Sequence, residues 1–507
     1  MPELSPRRRM LVLAICCMSL LIVSLDNTVL NVALPAMQKE LHASVSGLQW
    51  TIDAYTLVLA SLLMLSGSTA DRIGRRRVFT TGLVIFTIGS VLCSVAPNLE
   101  TLVVFRMLQA IGGSMLNPVA MSIITNTFTD PRERARAIGV WGGVVGLSMA
   151  AGPLVGGLLV DSVGWRSIFW INLPIGLAAL ILTWKFVPES RAAKARRPDP
   201  VGQALVIGVL GAVTYTIIEV PSAGWTSPRI LALICLAVAC TAALLVYEPR
   251  RAEPLIDLRF FRSAPFSGAT VIAVCAFAGL GGFLFVNTLY LQEARGLTAL
   301  HAGLYLLPMA AVTGVCAPLS GRLVGSRGPR PSLVVAGVGM TVSGLLFAVF
   351  QADAHTPLLF LGYVLFGFGF GWVNAPITNT AVSGMPRSQA GVAAAVASTS
   401  RQIGSTLGVA VLGAVLAGGV ASAASPAGAS HPSAAYLASF SEAARPAWWI
   451  LTACGLAVLV LGIATSGDWA RRSAQRAAAL FEQPQDAPPQ VAGATAAPAR
   501  TGPSHRV

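Results

Sequence analysis

Apolar residues occur in long, nearly uninterrupted runs along this chain, and short polar segments separate the runs. Each run holds the ~20 apolar residues that an α-helix needs to cross the ~30 Å hydrocarbon core of a bilayer, or somewhat more. The pattern therefore predicts an all-α membrane protein with fourteen membrane-spanning helices. The limits of the predicted spans are 10–34, 48–67, 78–96, 100–123, 135–160, 167–187, 201–220, 229–247, 265–291, 302–324, 331–351, 356–382, 391–419 and 446–466.

The chain also carries an internal repeat, offset by about half of its length. Residues 67–76 (GSTADRIGRR) are echoed by residues 321–330 (GRLVGSRGPR), and residues 112–118 (GGSMLNP) are echoed by residues 369–376 (GFGWVNAP). Such repeats are typical of transporters whose two halves move around a site near the bilayer midplane. The repeat predicts two six-helix bundles and leaves spans 7 and 8 between them. The predicted divisions are 1–190 (first bundle), 191–250 (two linking helices), 251–469 (second bundle) and 470–507 (a disordered cytoplasmic tail).

Composition and charge argue against a soluble domain and against a polyanionic partner. Of the 507 residues, 54% are hydrophobic and 11% are charged, whereas a water-soluble domain has about a quarter of its residues charged. The net charge of +14 does not come from one patch, because Lys and Arg are concentrated between alternate spans. This distribution follows the positive-inside rule, so it predicts a lipid bilayer as partner, no nucleic acid, and both termini in the cytoplasm. The basic clusters are 7–9, 72–77, 132–136, 185–197, 250–262, 322–330, Arg387 and 471–476.

Two local features could suggest other readings. The basic residues 7–9 followed by an apolar run look like a secretory signal, but no small-x-small cleavage site follows, so we expect an uncleaved first helix. The eight cysteines all lie inside apolar runs. We expect them to be packing residues and not disulfides or metal ligands.

Six passages of the sequence resemble one family of membrane proteins. They are 25–35 (LDNTVLNVALP), 67–76 after span 2, Arg106-x2-Gln109 with Gly112-Gly113 in span 4, 152–157 (GPLVGG) in span 5, 165–174 (WRSIFWINLP) and 401–404 (RQIG) in span 13. Together they resemble the major facilitator superfamily, in its fourteen-helix drug:proton antiporter branch (the EmrB/QacA type). The resemblance covers residues 10–466 and is specific for fold and branch, not for substrate. Two positions depart from the family pattern: Ala110 replaces a glycine, and the second-half loop has Gly325 and Ser326 near the place of the aspartate.

The resemblance implies roles for two of these motifs. The carboxylate of Asp71 is expected to accept backbone N–H groups at the start of span 13, near Ala390, and to hold the cytoplasmic side closed. The alternative is that the arginines of this loop only fix the orientation of the chain. The motif in span 5 is associated with antiport and is expected to form a hinge, with ordinary close helix packing as the simpler reading. The gating residues are Gly67, Asp71, Arg72, Gly74, Arg75, Arg76, Gly152, Pro153, Gly156 and Gly157.

Charged residues inside the predicted spans are candidates for function, because a charge is costly to bury in a bilayer. At a rise of 1.5 Å per residue, Asp26 and Arg106 lie roughly 9–12 Å from the outer ends of spans 1 and 4, and Asp53 lies at a similar depth in span 2. We predict that Asp26 takes up and releases a coupled proton and that Arg106 sets its proton affinity. The alternative is a permanent ion pair that never titrates.

Three further charged residues leave their roles open. Asp53 is either an acid at the outer interface, with Trp50 in the aromatic belt, or a residue with a vestibule role or a second protonation role. Glu219 ends span 7 outside the two bundles, so we expect a surface role. Arg401 lies within span 13 and is expected to face the bundle and to pair with backbone carbonyls or an acid. A direct contact of Arg401 with substrate is the alternative.

Other polar residues could line a central cavity or form bonds between helices. Asn117 and Asn374 are related by the repeat, and we slightly favour interhelical bonds for both. Aromatic residues of the second half could offer an adaptable surface to drugs, although most are expected to be packing residues. The cavity candidates are Asn31, Gln109, Asn117, Asn374, Arg401 and Trp372.

The sequence lacks the motifs of the common enzymes and of ATP-driven pumps. It has no Gly-x4-Gly-Lys-Ser/Thr loop, no His-Glu-x2-His motif and no serine-nucleophile elbow. We therefore predict a monomeric bacterial inner-membrane protein that is not an enzyme and needs no cofactor or metal. The expected function is proton-driven export of lipophilic small molecules, with the substrate and protons as its partners. A proton-coupled importer and a sensor without transport activity are the alternatives on the same fold.

Overall fold

The computed structural model describes residues 5–192, 198–251, 253–350, 355–383, 385, 389–422 and 434–482. Fourteen helices within these residues are long and apolar enough to cross a membrane. The predicted all-α fold class is confirmed, and the chain is a multi-pass membrane protein. Each predicted span falls on one of these helices.

The first bundle contains six membrane crossings, of which the fourth and sixth are interrupted. Its helices are α1 (Pro6–Leu41), α2 (Val45–Ile73), α3 (Arg75–Ser94), α4 (Leu99–Ser114), α5 (Asn117–Thr127), α6 (Pro131–Ser162), α7 (Ser167–Trp170) and α8 (Asn172–Phe186). Short polar side chains cap several helix starts: those of Ser44, Asn98 and Asp130 accept N–H groups from the first turns of α2, α4 and α6. Such caps satisfy backbone donors that have no partner within the helix.

Two helices link the bundles, and a second set of six crossings follows them. The remaining helices are α9 (Pro200–Ala223), α10 (Pro228–Tyr247), α11 (Ala264–Leu289), α12 (Ala299–Arg327), α13 (Pro329–Phe350), α14 (Thr356–Gly371), α15 (Asn374–Val382), α16 (Ala390–Ser422), α17 (Ala434–Ala464) and α18 (Asp468–Glu482). A π-helical turn, Tyr290–Ala294, continues α11.

The sequence repeat has a structural counterpart in two broken crossings. The fourth crossing breaks between α4 and α5, just before Asn117 and Pro118. The equivalent crossing of the second bundle breaks between α14 and α15, just before Asn374 and Pro376. Proline has no N–H group to donate and its ring crowds the preceding turn, which accounts for a break at both places.

The helix ends form two faces of the molecule. We call the face where α1 and α6 begin and α8 ends the termini end, and the face where α1 ends and α12 begins the far end. Arg8 Nε donates to the carbonyl of Phe186 (3.3 Å) at the termini end. Trp165 Nε1 donates to the carboxylate of Glu40 (2.7 Å) at the far end.

The two bundles are in contact at the far end. The Asp161 carboxylate, near the end of α6, accepts the backbone N–H groups of Ala299 (3.2 Å) and Leu300 (2.9 Å) at the start of α12. Gln292 Nε2, in the π-helical turn after α11, donates to the Val32 carbonyl of α1 (2.8 Å). These bonds join the first bundle to the second, and we call them the far-end seal.

At the termini end, α6 and α12 have separated. Gly139, Gly143 and Gly146 share one face of α6, because residues three and four apart lie on the same side of a helix. A β-carbon at Gly146 would lie 3.9 Å from the Cα of Gly314 on α12, whereas β-carbons at Gly143 and Gly139 would have no described atom within 4 Å. Gly321, two turns along α12 from Gly314, also faces open space among the described residues. The structure is therefore open at the termini end and closed at the far end.

The linking helix α9 packs against one helix from each bundle, α2 and α16, while α10 packs against α9. The side-chain amide of Gln203 donates to the carbonyl of Ser61 on α2. Near the far end, Trp50 Nε1 donates to the Glu219 carboxylate (3.1 Å), and the Trp50 and Tyr215 ring centres lie 5.3 Å apart. Glu219, for which we expected a surface role, thus anchors α9 to the first bundle.

Two expectations about the last part of the chain need correction. The last crossing begins at Ala434 and not near 446, because Phe440 and Ala444 are buried and extend the helix to the N-terminal side of Pro446.

The predicted disordered tail is helical as far as Glu482, because Ala470, Ala474 and Ala477 recur at helical spacing and are buried. Residues 193–197, 386–388 and 483–507, which include parts of the predicted basic clusters and of the tail, lie outside the described residues.

Candidate functional site

A buried polar cluster surrounds Asp26 of α1 inside the first bundle. Arg106 of α4 donates from Nη1 to Asp26 Oδ2, and Gln109, one turn along α4, donates from Nε2 to Asp26 Oδ1 (2.9 Å). Asn172, the first residue of α8, donates from Nδ2 to the same Oδ1 (2.9 Å). Asp26 is 4% exposed and the other three side chains are fully buried. The carboxylate therefore accepts three hydrogen bonds, one of them from a cation.

Arg106 is held in place by several partners besides Asp26. Its Nε donates to the Thr51 carbonyl of α2 (3.3 Å), and its Nη1 donates to Gln109 Oε1 (2.9 Å). The guanidinium carbon lies 4.2 Å from the centre of the Tyr55 ring, a favourable cation–π distance. Because Arg106 is fixed and fully buried, loss of the negative charge on Asp26 would leave a buried cation without its counter-ion.

The glycine motif of α6 packs directly against the helix that carries Asp26. A β-carbon at Gly152 would collide with the side chain of Thr28, and one at Gly156 would lie 3.0 Å from the side chain of Val29. Thr28 also donates to the Ser148 carbonyl of α6 (3.2 Å). Larger residues at these two glycines would force α1 and α6 apart just beyond the carboxylate.

The same motif packs on its other side against the second bundle. A β-carbon at Gly157 would lie 2.5 Å from the Cα of Leu300 on α12, and one at Gly303 of α12 would collide with the Pro153 carbonyl. The motif thus joins the helix of Asp26 to the second bundle through small residues. Its close packing is observed, and its action as a hinge stays a prediction.

Asp53 of α2 lies on the interface between α2 and α16. Its neighbours on the same helix face bond to α16: Gln49 Nε2 donates to the Ala410 carbonyl (2.8 Å), and Thr406 donates to the Thr56 hydroxyl (2.8 Å). Asp53 is 0% exposed, and apart from the Thr56 hydroxyl of its own helix its carboxylate has no hydrogen-bond donor among the described residues. Asp53 is therefore buried between α2 and α16 in this conformation, and both readings of its role stay predictions.

The loop between α2 and α3 is organised by contacts within the first bundle. Asp71 Oδ1 accepts hydrogen bonds from Arg75 Nε (3.1 Å) and Nη2 (2.9 Å), and the Glu189 carboxylate accepts the N–H of Arg76 (3.1 Å). Gly74 ends α2 at φ +128°, a conformation that favours glycine. In this conformation Asp71 bonds to Arg75 and, among the described residues, not to the start of α16. The latch between Asp71 and α16 stays a prediction.

We expected Arg401 of α16 to pair with an acid or with backbone carbonyls. It bonds instead to hydroxyl groups. Its Nη2 donates to Thr378 Oγ1 of α15, and its Nη1 donates to Ser398 Oγ (3.3 Å). No acidic side chain of the described residues forms an ion pair with it, and its Nε has no partner among them. Arg401 therefore carries a partly buried positive charge that neutral oxygens stabilise.

The remaining candidates occupy different places. Asn31 donates to the Asn27 carbonyl of its own helix (2.9 Å). Asn117 Oδ1 is buried without a hydrogen-bond partner among the described residues, and the Trp372 side chain is a hydrogen-bond partner of the Cys316 thiol. The Asn374 carbonyl accepts a hydroxyl group from its own helix. Asn31 lines a small cavity between the bundles, whose lining residues are Thr28, Asn31, Val32, Met149, Pro153, Leu284, Leu306 and Met309.

The sequence analysis missed three residues that organise the site and the two ends. Asn172 bonds to Asp26, Asp161 bonds to the start of α12, and Glu189 holds the loop after α2. Asn172 begins α8, the second part of the interrupted sixth crossing, at a depth similar to that of Asp26. A search of all polar residues at that depth, and not only of charged ones, would have found it.

Two pseudo-repeated helix bundles, closed at one end and open at the other around a buried acid, define the class of membrane transport proteins. The family model of the Major Facilitator Superfamily matches residues 16–409. The chain belongs to this superfamily, as the resemblance in its motifs had indicated.

Relatives with a high similarity are named for drug or antibiotic resistance. The chain is 38% identical over 411 residues to the multidrug resistance protein Stp of Mycobacterium tuberculosis. The aligned region covers 81% of this chain and 76% of that protein. It is also 38% identical over 400 residues to the tetracenomycin C resistance and export protein of Streptomyces glaucescens, covering 78% and 74% of the two chains.

A solved structure shares the fold. It is a bacterial homologue of the human lysosomal transporter Spinster, in an inward-facing and unoccupied conformation. The TM-score is 0.65 at 18% sequence identity, and the match covers 93% of this chain and 99% of that chain.

Proposed function

We propose that this protein is a proton-coupled antiporter that exports lipophilic small molecules by alternating access. The observation that carries the proposal is the cluster of three donors around Asp26, which lies next to the contact between α1 and the glycine motif of α6. A group that can exchange a proton thus lies beside α1 and α6, and α6 contacts the second bundle. The relatives named for resistance and export support the direction of transport.

Protonation of Asp26 supplies the energy for a rearrangement in this proposal. The neutral acid no longer compensates the positive charge of Arg106. Removing one partner of a buried ion pair destabilises the folded conformation by about 3–5 kcal/mol. The cluster is then expected to relax by a shift of α1 relative to α4. Because Thr28 packs against Gly152, the shift is passed to α6 and from there to the second bundle.

Asp53 is the second proton-binding residue of the proposal. A carboxylate anion is costly to bury without donors, so we expect Asp53 to hold a proton while α2 and α16 are in contact. Opening of the far end would separate these helices beside Asp53 and let it exchange its proton there. Its place on the interface, with Gln49 and Thr56 bonded to α16, supports this role.

Two seals alternate in the proposed cycle. The far-end seal, in which Asp161 caps α12, holds the conformation described above. When it opens, the face of α6 that carries Gly143 is expected to pack against the face of α12 that carries Gly321. The carboxylate of Asp71 would then leave Arg75 and bind the start of α16, as the family motif implies.

The cavity between the bundles favours a lipophilic substrate. Six of its eight lining residues are Val, Met, Pro or Leu, and methionine adapts readily to ligands of different shape. The basic loop with Arg75 and Arg76 lies at the termini end, so we propose that this end faces the cytoplasm. We further propose that the protein acts as a monomer in a bacterial inner membrane.

A transport assay with an imposed pH gradient separates the candidate functions. Purified protein is reconstituted in liposomes, and a panel of permanently charged lipophilic cations and antibiotics is offered. An antiporter concentrates its substrate on the acidic side, because the substrate moves against the proton flow. An importer that carries both together concentrates it on the alkaline side, and a sensor moves nothing. Protein-free liposomes control for passive trapping.

A further inference from the structure

The helix α18 follows the last membrane crossing and is docked in a fixed orientation. Ser473 Oγ accepts the N–H of Ala264 at the start of α11 (2.9 Å), and the Leu480 carbonyl accepts Nη1 of Arg259 (3.2 Å). The Phe481 ring stacks on Phe260, with centres 5.1 Å apart. These contacts hold the middle and the C-terminal end of α18, so the side chains on its other face point in defined directions.

The outward flank of α18 is aromatic and basic. Trp469, Arg472 and Arg476 are spaced by three and four residues and therefore form one stripe along the helix. Trp469 is 60% exposed, and both arginines are exposed. Neither arginine forms an ion pair with a described residue, whereas Arg471, beside the stripe, lies 3.7 Å from the carboxylate of Asp468.

The position of α18 relative to the crossings sets its depth. It begins at Asp468, directly after α17 ends at Ala464, and it bonds to the first residue of α11. The ends of two membrane-spanning helices therefore flank it, at the level where hydrocarbon gives way to headgroups. Tryptophan and arginine on one face of an amphipathic helix are typical of helices that lie in this interfacial layer.

We propose that the stripe formed by Trp469, Arg472 and Arg476 binds the headgroups of anionic phospholipids. The guanidinium groups match the phosphate charge, and the indole ring sits between the headgroups and the acyl chains. The remainder of this chain is a poor occupant for the stripe: residues 483–507 contain one acid, Asp486, against Arg500 and Arg506. The proposal is independent of the transported substrate and of proton coupling.

The stabilisation of the purified full-length protein by added lipid tests the proposal. Thermal unfolding in detergent is followed while phosphatidylglycerol or phosphatidylcholine is titrated in, and the half-saturating lipid concentration is recorded. The double variant Arg472→Gln/Arg476→Gln should need roughly 30-fold more phosphatidylglycerol, because each basic residue near an anionic surface contributes about a factor of five. Its response to phosphatidylcholine should not change.

Matched variants keep the result interpretable. Arg322→Gln/Arg327→Gln removes two exposed arginines of α12 at the same end and should bind phosphatidylglycerol like the wild type. Arg472→Lys/Arg476→Lys should keep most of the preference, which separates charge from a folding defect. The same half-saturating concentration for the glutamine variant and the wild type would overturn the proposal. So would tight binding that appears only after residues 483–507 are removed, because the tail would then be the occupant of the stripe.

Discussion

Removal of the far-end seal should shift the protein away from the conformation described above. Asp161 accepts the N–H groups of Ala299 (3.2 Å) and Leu300 (2.9 Å), which belong to the other bundle. A side-chain cap at a helix start contributes about 0.5–2 kcal/mol, and this cap exists only while the far end is closed. Asp161→Ala should therefore lower the ratio of termini-open to termini-closed protein by about 2- to 30-fold, since 1.36 kcal/mol corresponds to a factor of ten.

The distance between spin labels at Asn126 of α5 and Arg327 of α12 reports this ratio, because both residues are exposed at the termini end of different bundles. The labels are placed in a background without the eight native cysteines. Asp130→Ala is the matched control, since the Asp130 side chain caps its own helix α6 and forms no hydrogen bond with a described residue of the second bundle. Unchanged populations in Asp161→Ala, or an equal shift in Asp130→Ala, would refute the reasoning.

Three further predictions concern packing, the site and stability. Gly157→Ala should slow transport several-fold, because its β-carbon would lie 2.5 Å from α12, while Gly211→Ala on the linking helix α9, with open space around it, should keep the wild-type initial rate. Asn172→Ala removes a hydrogen bond to a charged group, worth about 1.5–3 kcal/mol, so coupled transport in liposomes should fall by roughly 10- to 100-fold. Arg106→Gln should clearly lower the unfolding temperature, because it leaves a buried acid unpaired. Arg401→Gln breaks no ion pair with a described residue and should change that temperature little; the opposite order would contradict the site described above.

The architecture was predictable because the bilayer imposes a simple length rule on apolar helices. Every crossing had to show a run of about 20 apolar residues, and the repeat revealed how the crossings divide into two halves. The limits of the last crossing and the helix α18 were harder to predict. Both depend on small residues such as Ala444 and Ala470, whose burial against neighbouring helices is not visible in their hydropathy.

Within the site, the depth argument brought together Asp26 and Arg106, which the structure places in contact. It worked because the rise per residue is fixed, so equal distances from the far end mean equal depth. Asn172 belongs to the motif 165–174 and lies at that level, but it was missed as a partner of Asp26 because the depth comparison was applied to charged residues only. Neutral polar groups also need partners in a bilayer, and Asn172 satisfies that need by donating to the carboxylate.

Contacts between the bundles were the part that sequence could not supply. In the proposed cycle one sequence serves conformations open to either side, so the sequence does not specify which seal is formed in a given structure. The expected partner of Asp71 was the start of α16, and in this conformation its partner is Arg75. No sequence motif predicted the Asp161 cap on α12, since any carboxylate that reaches a helix start can form such bonds.

Proton movement triggered by a transported compound tests the central claim most directly. Liposomes with an internal pH indicator are prepared with the wild type and with Asp26→Asn, which keeps the shape of the side chain but cannot titrate. The substitution removes the counter-ion of Arg106, as protonation does, so thermal unfolding and intrinsic tryptophan fluorescence are used to establish that the variant is folded and binds the compound. We predict that the compound drives proton flux with the wild type and none with Asp26→Asn. Full proton flux with Asp26→Asn would contradict the account.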